Sequence, residues 1–597
     1  MRSRFLGFSK RFYQFAILSF LSIAISACGG GGSSSPSTPP TPPPPAPPPP
    51  PPPAPEGDIK VNQIGYLPSF AKVAVVPTSA ATTFEVINTD TNSAVFTGNL
   101  SDEATWAPAD QAVKLADFSD LTAGGSYVIR VAEFDDSPVF TIGEDSFLNV
   151  HDTALKAYYF NRASMELTAE FAGDWARPLG HPDDQVLVHA SAATAERPEG
   201  TVISSPKGWY DAGDYNKYIV NSGISTYTLL AAYIHYPEFY QTRNGNIPES
   251  SNNAPDILDE IMWNLEWMAS MQDPNDGGVY HKLTTASFAG TVMPHEATAQ
   301  RYVVQKGTGA TLNFAGVMAT ASRVYANIPE YANQAASYTQ AAIDAYAWAV
   351  ANPNVEYVQP ADIQTGGYQD SNYAGEFAWA AAELYLLTAD AQYLDDFNQY
   401  ATGASIPGWP NTMGLAYVSL LAEGENMLAT DAYISLKNSL IAVADGIVNS
   451  HSNSAYGVAM ETNDFVWGSN SGAMNKAFIL MQAYRQTASV EYVNAAIGLI
   501  DYVLGKNPTD YSFVTGNGSK TPQDPHHRQS FADDVSAPVP GFLVGGPHPG
   551  REDGCNYTGD QPATTYVDDW CSYATNEVTI NWNAPLVYVL AALHGAQ

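Results

Sequence analysis

The spacing of apolar residues changes once along this chain. From Asp58 to about residue 144 they come in short runs and alternations. Val73 to Val76 is one run, Phe84 and Val86 alternate with polar neighbours, and so do Tyr127, Ile129 and Val131, with Gly124-Gly125 marking a turn. A period of two over several short segments predicts strands, and about 85 residues of them predict a β-sandwich. After about residue 145 the period becomes helical. Ile257, Ile261, Leu265 and Met268 fall on one face behind the start signal Ala254-Pro255-Asp256. Phe377, Ala381, Leu384 and Leu387 do the same between Glu376 and Thr388. Ile497, Ile500 and Leu504 repeat the pattern before the stop Gly505-Lys506-Asn507-Pro508. The second region, 145–597, is therefore predicted to be all-α.

The first 57 residues fit neither pattern. Residues 1–27 have a basic start, an apolar run from Phe15 to Ile25 and then Ile25-Ser26-Ala27-Cys28. The run is short for a permanent span and reads as an export signal. It is similar to bacterial lipoprotein signals, which implies cleavage before Cys28 and a lipid on its thiol. Gly29 in the next position, rather than Asp, implies the outer membrane. Residues 28–57 are a Gly/Ser and then proline-dominated linker that cannot pack a core and favours an extended spacer.

Charge narrows the partners. The formal charge is −35, and removing residues 1–27, which carry four basic and no acidic side chains, makes it −39. Such a chain repels nucleic acid and anionic membrane surfaces, so a membrane is reached only through the lipid, while a neutral polysaccharide is compatible. Three cysteines leave one odd. If Cys28 is lipidated, Cys555 and Cys571 remain for a disulfide in an oxidising compartment; two buried free thiols are the alternative.

The candidate chemistry begins at Gly208-Trp209-Tyr210-Asp211-Ala212-Gly213-Asp214-Tyr215-Asn216-Lys217-Tyr218. Two carboxylates three residues apart across a small Ala-Gly step can turn into one cleft and hold a water between them. The rings of Trp209, Tyr210, Tyr215 and Tyr218 suit the apolar faces of a sugar. An acidic surface turn is the bland alternative. Against it stand those rings and a second acid, Glu577, in Tyr566-Val567-Asp568-Asp569-Trp570-Cys571-Ser572-Tyr573-Ala574-Thr575-Asn576-Glu577-Val578-Thr579-Ile580-Asn581-Trp582-Asn583-Ala584. Between them lies Ser512-Phe513-Val514-Thr515-Gly516-Asn517-Gly518, followed by Pro525-His526-His527-Arg528.

In this order the three blocks resemble the family 9 glycoside hydrolases, mainly cellulases, over roughly residues 145–597. The segment 58–144 resembles the immunoglobulin-like module that precedes the catalytic domain in one branch of that family; with no cysteines in it, the likeness is architectural. The resemblance implies an (α/α)6 barrel of six inner and six outer helices with the cleft at one end. It implies an inverting hydrolase of β-1,4-glucosidic bonds in cellulose or cellodextrins. Glu577 would be the general acid and Asp214 the base, with Asp211 holding the same water. An inverting pair stands about 6.5–9.5 Å apart. His526 and Arg528 match substrate-binding positions; Trp209 and Tyr573 are candidate sugar platforms, and Asp568 would orient Arg528 or its loop. His527 is less defined. Glu577 also reads as a helix-start acid ahead of Val578 to Leu590.

The resemblance also bears on metals. Members with zinc have histidine where this chain has Tyr210, and cysteines upstream, so that site is expected to be absent. His181, Asp183, Asp184 and His189 are candidates for a different one. Structural calcium would suit an oxygen-rich loop such as Asp273 to Gly278. No cofactor is needed for the chemistry, and a monomer is expected. An exo-acting cellodextrinase competes with endo attack on the polymer. A non-catalytic sugar-binding surface lipoprotein is the reading from another class, opposed by the presence of all three carboxylates; an adhesin would explain the anchor and the β-module but not the Pro525–Arg528 block.

Overall fold

The computed structural model describes residues 58–597. The signal segment, Cys28 and the linker to residue 57 lie outside the described residues.

The first region is a sandwich of two antiparallel sheets. β1 (Val73–Pro77), β5 (Gln111–Asp117) and β4 (Ala104–Trp106) form one sheet in the order β1-β5-β4; β3 (Ser93–Asn99), β2 (Thr83–Asn88), β6 (Gly125–Arg130) and β7 (Phe140–Ile142) form the other in the order β3-β2-β6-β7. Successive strand side chains point to opposite faces, which explains why Val73 to Val76 reads as a continuous apolar run. Ala74 and Val76 enter the sandwich core with Phe84, Val86, Ile129 and Phe140. Val75 enters the other core, together with Trp106 and Val113. This sheet is therefore covered on both sides, one of them by the helical region. Trp106 packs at a tilt against Tyr456 of that region, with ring centroids 4.5 Å apart. Gln63 reaches further: its backbone N–H donates to the Leu504 carbonyl, its Nε2 to the Asp510 carbonyl, and its Oε1 accepts from the Ser519 and Lys520 N–H groups.

Twelve helices of ten residues or more follow among the described residues. Ile219–His235, Thr308–Tyr325, Ala374–Thr388, Met413–Glu423, Ser469–Thr487 and Ile580–Gly595 are the inner six; Leu148–Phe160, Asp256–Ser270, Ala332–Ala351, Ala391–Tyr400, Thr430–Ser452 and Val490–Val503 are the outer six. The last inner helix packs against the first, closing an (α/α)6 barrel. Outer helices show the expected stripe: Ala335, Tyr338, Ala342, Ala345, Tyr346 and Ala349 are the buried residues of Ala332–Ala351. Asp256 and Asp259 sit in the first turn of their helix, where the dipole favours acids, and the chain turns away after Val503 through Gly505 at φ +128°.

The single-face reading of Glu376 to Thr388 was too narrow. This is an inner helix, and every residue from Gly375 to Leu386 is buried. Its Glu383 is matched by Arg323 of the preceding inner helix at 2.6 Å. The all-α reading also missed a small mixed sheet: β8 (Val186–Val188), β9 (Val202–Ile203), β10 (Lys217–Tyr218), β11 (Lys282–Thr285) and β12 (Arg301–Val303), in the order β10-β11-β12-β8-β9. Strands of two to four residues are too short to display a period. Among the described residues no helix is long and apolar enough to cross a membrane.

Candidate active site

The three blocks, hundreds of residues apart in sequence, are bonded to one another in pairs. The Gly213 carbonyl accepts from the Arg528 N–H at 3.1 Å and from its Nη1 at 2.7 Å. The Asp211 carbonyl accepts from the Ile580 N–H at 2.9 Å, and the His526 N–H donates to the Asn576 carbonyl at 2.9 Å. His526 and Glu577 are paired as a parallel bridge. Glu577 therefore sits on a short extended segment ahead of the cap Thr579, not in the first helical turn.

All three acids line one cavity of about 960 Å³. Burial pushes Glu577 well above the usual carboxylate range, and the nearby charges of Asp214 and Asp211 push it further. Burial raises Asp214 as well, but Arg528, Asn216 and Tyr218 all favour its charged form. Tyr218 donates to Asp214 Oδ2 at 3.3 Å and the Asn216 amide also donates to that oxygen. Asp211 is raised well above its ordinary value by burial and then by Asp214, against the opposing hydrogen bonds of Asn221 at 2.5 Å and Tyr368 at 2.7 Å. Burial raises both acids, but like charge raises Glu577 further while Arg528 and hydrogen bonds oppose the rise at Asp214, the direction of difference that a proton donor and a water-activating base require.

His526 and Arg528 both line the cavity. The His526 ring stacks on Trp570 at 4.4 Å, and its Nδ1 is 2.7 Å from the Trp570 carbonyl. His527 does not line the cavity; it is buried against Phe542 and bonded to Ser530. Tyr573 forms part of the wall, its hydroxyl fixed to the Glu552 carbonyl. Asp568 orients the loop and not Arg528: it accepts from the Gln523 and Asp524 N–H groups and from Asn576 Nδ2. Trp209 is a correction. It is fully buried, packs on Tyr158 at 4.6 Å and donates to Glu260, so it cannot be a platform. Tyr210 and Tyr215 are buried too, and of the four rings flanking the acids only Tyr218 reaches the cavity. The aromatic walls come instead from Tyr368, Trp409, Trp467, Trp582 and Phe288.

The model described as glycosyl hydrolase family 9 matches residues 147–590. The chain belongs to glycosyl hydrolase family 9. The model for the cellulase N-terminal ig-like domain matches residues 54–135. This family 9 chain is similar to the xyloglucan-specific endo-β-1,4-glucanase of Bacteroides ovatus, with 42% identity over 555 residues that cover 90% of this chain and 94% of that protein. Endoglucanase D of Acetivibrio thermocellus is 33% identical over 547 residues, 89% of this chain and 83% of that protein. A solved Bacteroides ovatus family 9 structure superposes with a TM-score of 0.85 at 41% identity, covering 90% of this chain and 98% of that one.

The residues at the zinc position of this family 9 domain do not fit the metal. The Tyr210 hydroxyl is 2.8 Å from His181 Nδ1, and Asp183 is 2.8 Å from Lys217 Nζ and 3.3 Å from Arg301 Nε. His189 pairs with Asp362. In the acidic loop, Lys306 bridges Asp273 at 2.6 Å and Asp276 at 2.8 Å. Among the described residues no group of three His, Cys, Asp or Glu side chains is placed to hold a metal ion.

Cys555 is joined to Cys571. Asp553 draws the same loop together, accepting from Tyr557 at 2.6 Å, Ser572 at 2.9 Å and the Ala574 N–H at 3.1 Å. The bond closes a loop of about 15 residues, worth about 3 kcal/mol in the loop-entropy model. Reduction is expected to lower the melting temperature and, by loosening Tyr573, to raise KM more than it lowers kcat. Thiol titration of the unfolded, unreduced Cys28→Ser protein checks the bond; two reactive thiols would refute it.

Proposed function

We propose that the protein is an inverting endo-β-1,4-glucanase. The observation that carries this is the cavity itself: three convergent carboxylates, with Glu577 pushed well above the usual carboxylate range by burial and like charge, inside aromatic walls that fit stacked glucose rings. Glu577 protonates the leaving oxygen. Asp214, favoured in its charged form by Arg528, Asn216 and Tyr218, takes a proton from water attacking the opposite face of the sugar, and Asp211 holds that water. No cofactor enters these steps. A glucan backbone, plain or xylosyl-branched, is the substrate suggested by the similarity to the xyloglucan-specific enzyme. The deciding experiment compares products from xyloglucan, carboxymethylcellulose and cellohexaose. A rapid fall in polymer viscosity with few reducing ends supports endo attack. Release of a single short product from the earliest times would establish the exo alternative.

The two carboxyl roles fix a pH profile. A base with a raised pKa is lost as pH falls through that value, and an acid with a raised pKa is lost as pH rises through its own. The kcat/KM profile on a glucan is expected to be bell-shaped, with the high-pH limb displaced above the ordinary glutamate range by Glu577. Glu577→Gln should remove that limb from the residual activity; its persistence would reassign the acid.

The lipoprotein signal belongs to the same proposal. Cys28 carries lipid and anchors the enzyme to the outer membrane, with the proline-rich linker as a spacer. Cys28→Ser should move the protein from the membrane fraction to the soluble one without loss of folding. A wild-type protein found wholly soluble with a free Cys28 thiol would overturn the anchor.

A further inference from the structure

Lys282, on β11, is a cation that takes no part in the steps assigned to Glu577, Asp214 and Asp211. It is fully buried and does not line the catalytic cavity. Its Nζ donates to Gln359 Oε1 at 3.1 Å, to Thr365 Oγ1 at 3.0 Å and to the Gly366 carbonyl at 2.5 Å. All three acceptors are neutral. Taking an ammonium out of water is costly unless an opposite charge lies near. Here the acids that favour its charged form are Asp214 and then Asp211. Burial pulls it down to about 7 against their attraction, so below that pH the side chain carries its charge.

The same ammonium fixes what touches the two aspartates. Tyr218 pairs with Lys282 across β10 and β11, and Nζ lies 5.4 Å from its ring. The Tyr218 hydroxyl donates to Asp214 Oδ2 at 3.3 Å. The bonds to Thr365 and Gly366 seat the segment that ends in Tyr368, whose hydroxyl donates to Asp211 Oδ2 at 2.7 Å. His281 Nε2 meets the next carbonyl, Gly367, at 2.8 Å; burial holds its ring down to about 3, so it adds no charge. Tyr357 closes the other side, stacked on His281 at 3.9 Å and 5.6 Å from Lys282 Nζ. Further along β11, Thr284 Oγ1 and the Thr285 N–H donate to Asn216 Oδ1 at 3.1 and 3.0 Å, which leaves the Asn216 amide N–H groups for Asp214. Around Asp214 the charged groups are therefore Arg528 and Lys282 on the positive side, and Asp211 and Glu577 on the negative.

We propose that Lys282 is a positioning residue for the hydrolysis: it supplies buried positive charge behind the Asp211–Asp214 pair and aims Tyr218 and Tyr368 at the two carboxylates. The inference rests on Asp214 being the base. A carboxylate near an opposite charge ionises at lower pH. Asp214 must be ionised to take a proton from water, so Lys282 extends activity toward acid pH. Lys282 acts through the charge and the two hydroxyls, since it lies outside the cavity that holds the sugar.

The pH profile of kcat/KM on cellohexaose tests this. Lys282→Met, of similar length but uncharged, is expected to move the acid limb up by about one pH unit, a further loss of about tenfold below it. Lys282→Gln keeps N–H donors for the neutral acceptors but not the charge, and should move the limb in the same direction. Lys282→Arg keeps the charge and should leave the limb in place, whatever it does to kcat. Both neutral variants should melt within a few degrees of the wild type, because each removes a buried charge that is bonded to neutral acceptors. The proposal is overturned if Lys282→Met and Lys282→Gln keep the wild-type acid limb, or if Lys282→Arg moves it as far as Lys282→Met. It is overturned too if neither neutral variant folds, which would make Lys282 a stability residue. A wild type that cleaves no glucan would instead sink the assignment of the base, and this inference with it.

Discussion

Glu577→Gln is expected to lose about 10²–10⁴-fold in kcat on cellohexaose, the usual worth of a positioned general acid. The same variant should lose far less on an aryl cellobioside with a dinitrophenolate leaving group, which departs without a proton. Asp214→Asn should lose comparably on both substrates, because water must be activated whatever leaves. The contrast follows from the site. Glu577 is raised by burial and then by Asp214 and Asp211, whereas Asp214 receives Arg528, Asn216 and Tyr218, which favour the carboxylate. Both variants should melt within a few degrees of the wild type, since neither removes a buried ion pair. Equal losses for Glu577→Gln on the two substrates would exchange or abolish the assigned roles.

Gly213→Ala should be nearly as damaging, through sterics alone. A Cβ on Gly213 would lie 2.1 Å from the His526 carbonyl oxygen, a backbone atom that cannot swing aside. The same residue's carbonyl receives two bonds from Arg528. Relief requires the Asp211–Asp214 loop to part from the Pro525–Arg528 block, moving the base relative to the acid and to Arg528 together. A displacement of about 1 Å in a reacting geometry can cost 10²-fold, while overpacking costs about 1–3 kcal/mol of stability. Steady-state kinetics beside a melting curve checks the pair of effects. A kcat within threefold of wild type would show that the interlock has slack.

The sandwich, the helices and the three acids were legible because each leaves a mark in one dimension: a period of two, a period of 3.6, or a charged residue in an aromatic block; the closure of the helices into a barrel leaves none and came from the family resemblance. What was not legible depends on direction. Trp209 stands two residues from Asp211, yet it turns into the core to bond Glu260. Tyr210 turns to His181 in the same way. The walls that were missed have a shared address. Tyr368, Trp409 and Trp467 fall just before the inner helices Ala374–Thr388, Met413–Glu423 and Ser469–Thr487, as the acid pair and Glu577 fall just before Ile219–His235 and Ile580–Gly595. The N-terminal ends of five inner helices therefore face one cleft. Aromatic residues in Gly/Pro-rich segments, as in Pro407-Gly408-Trp409-Pro410 and Trp467-Gly468, are the signal that a search ahead of each inner helix would have found.

The sandwich shares its β1-β5-β4 sheet with the barrel, and Gln63 holds the Ser519–Lys520 segment of the barrel region. A module joined in this way is not interchangeable. Cutting the chain between Ile142 and Leu148 would expose Val75 and Trp106 on one piece and Tyr456 on the other, and would leave the Ser519 and Lys520 amides without the oxygen that gathers them. The two regions are expected to melt as one cooperative unit, which a single calorimetric transition would show. This barrel, deprived of its β-module, would bare an apolar face that a domain carried on a flexible linker never covers.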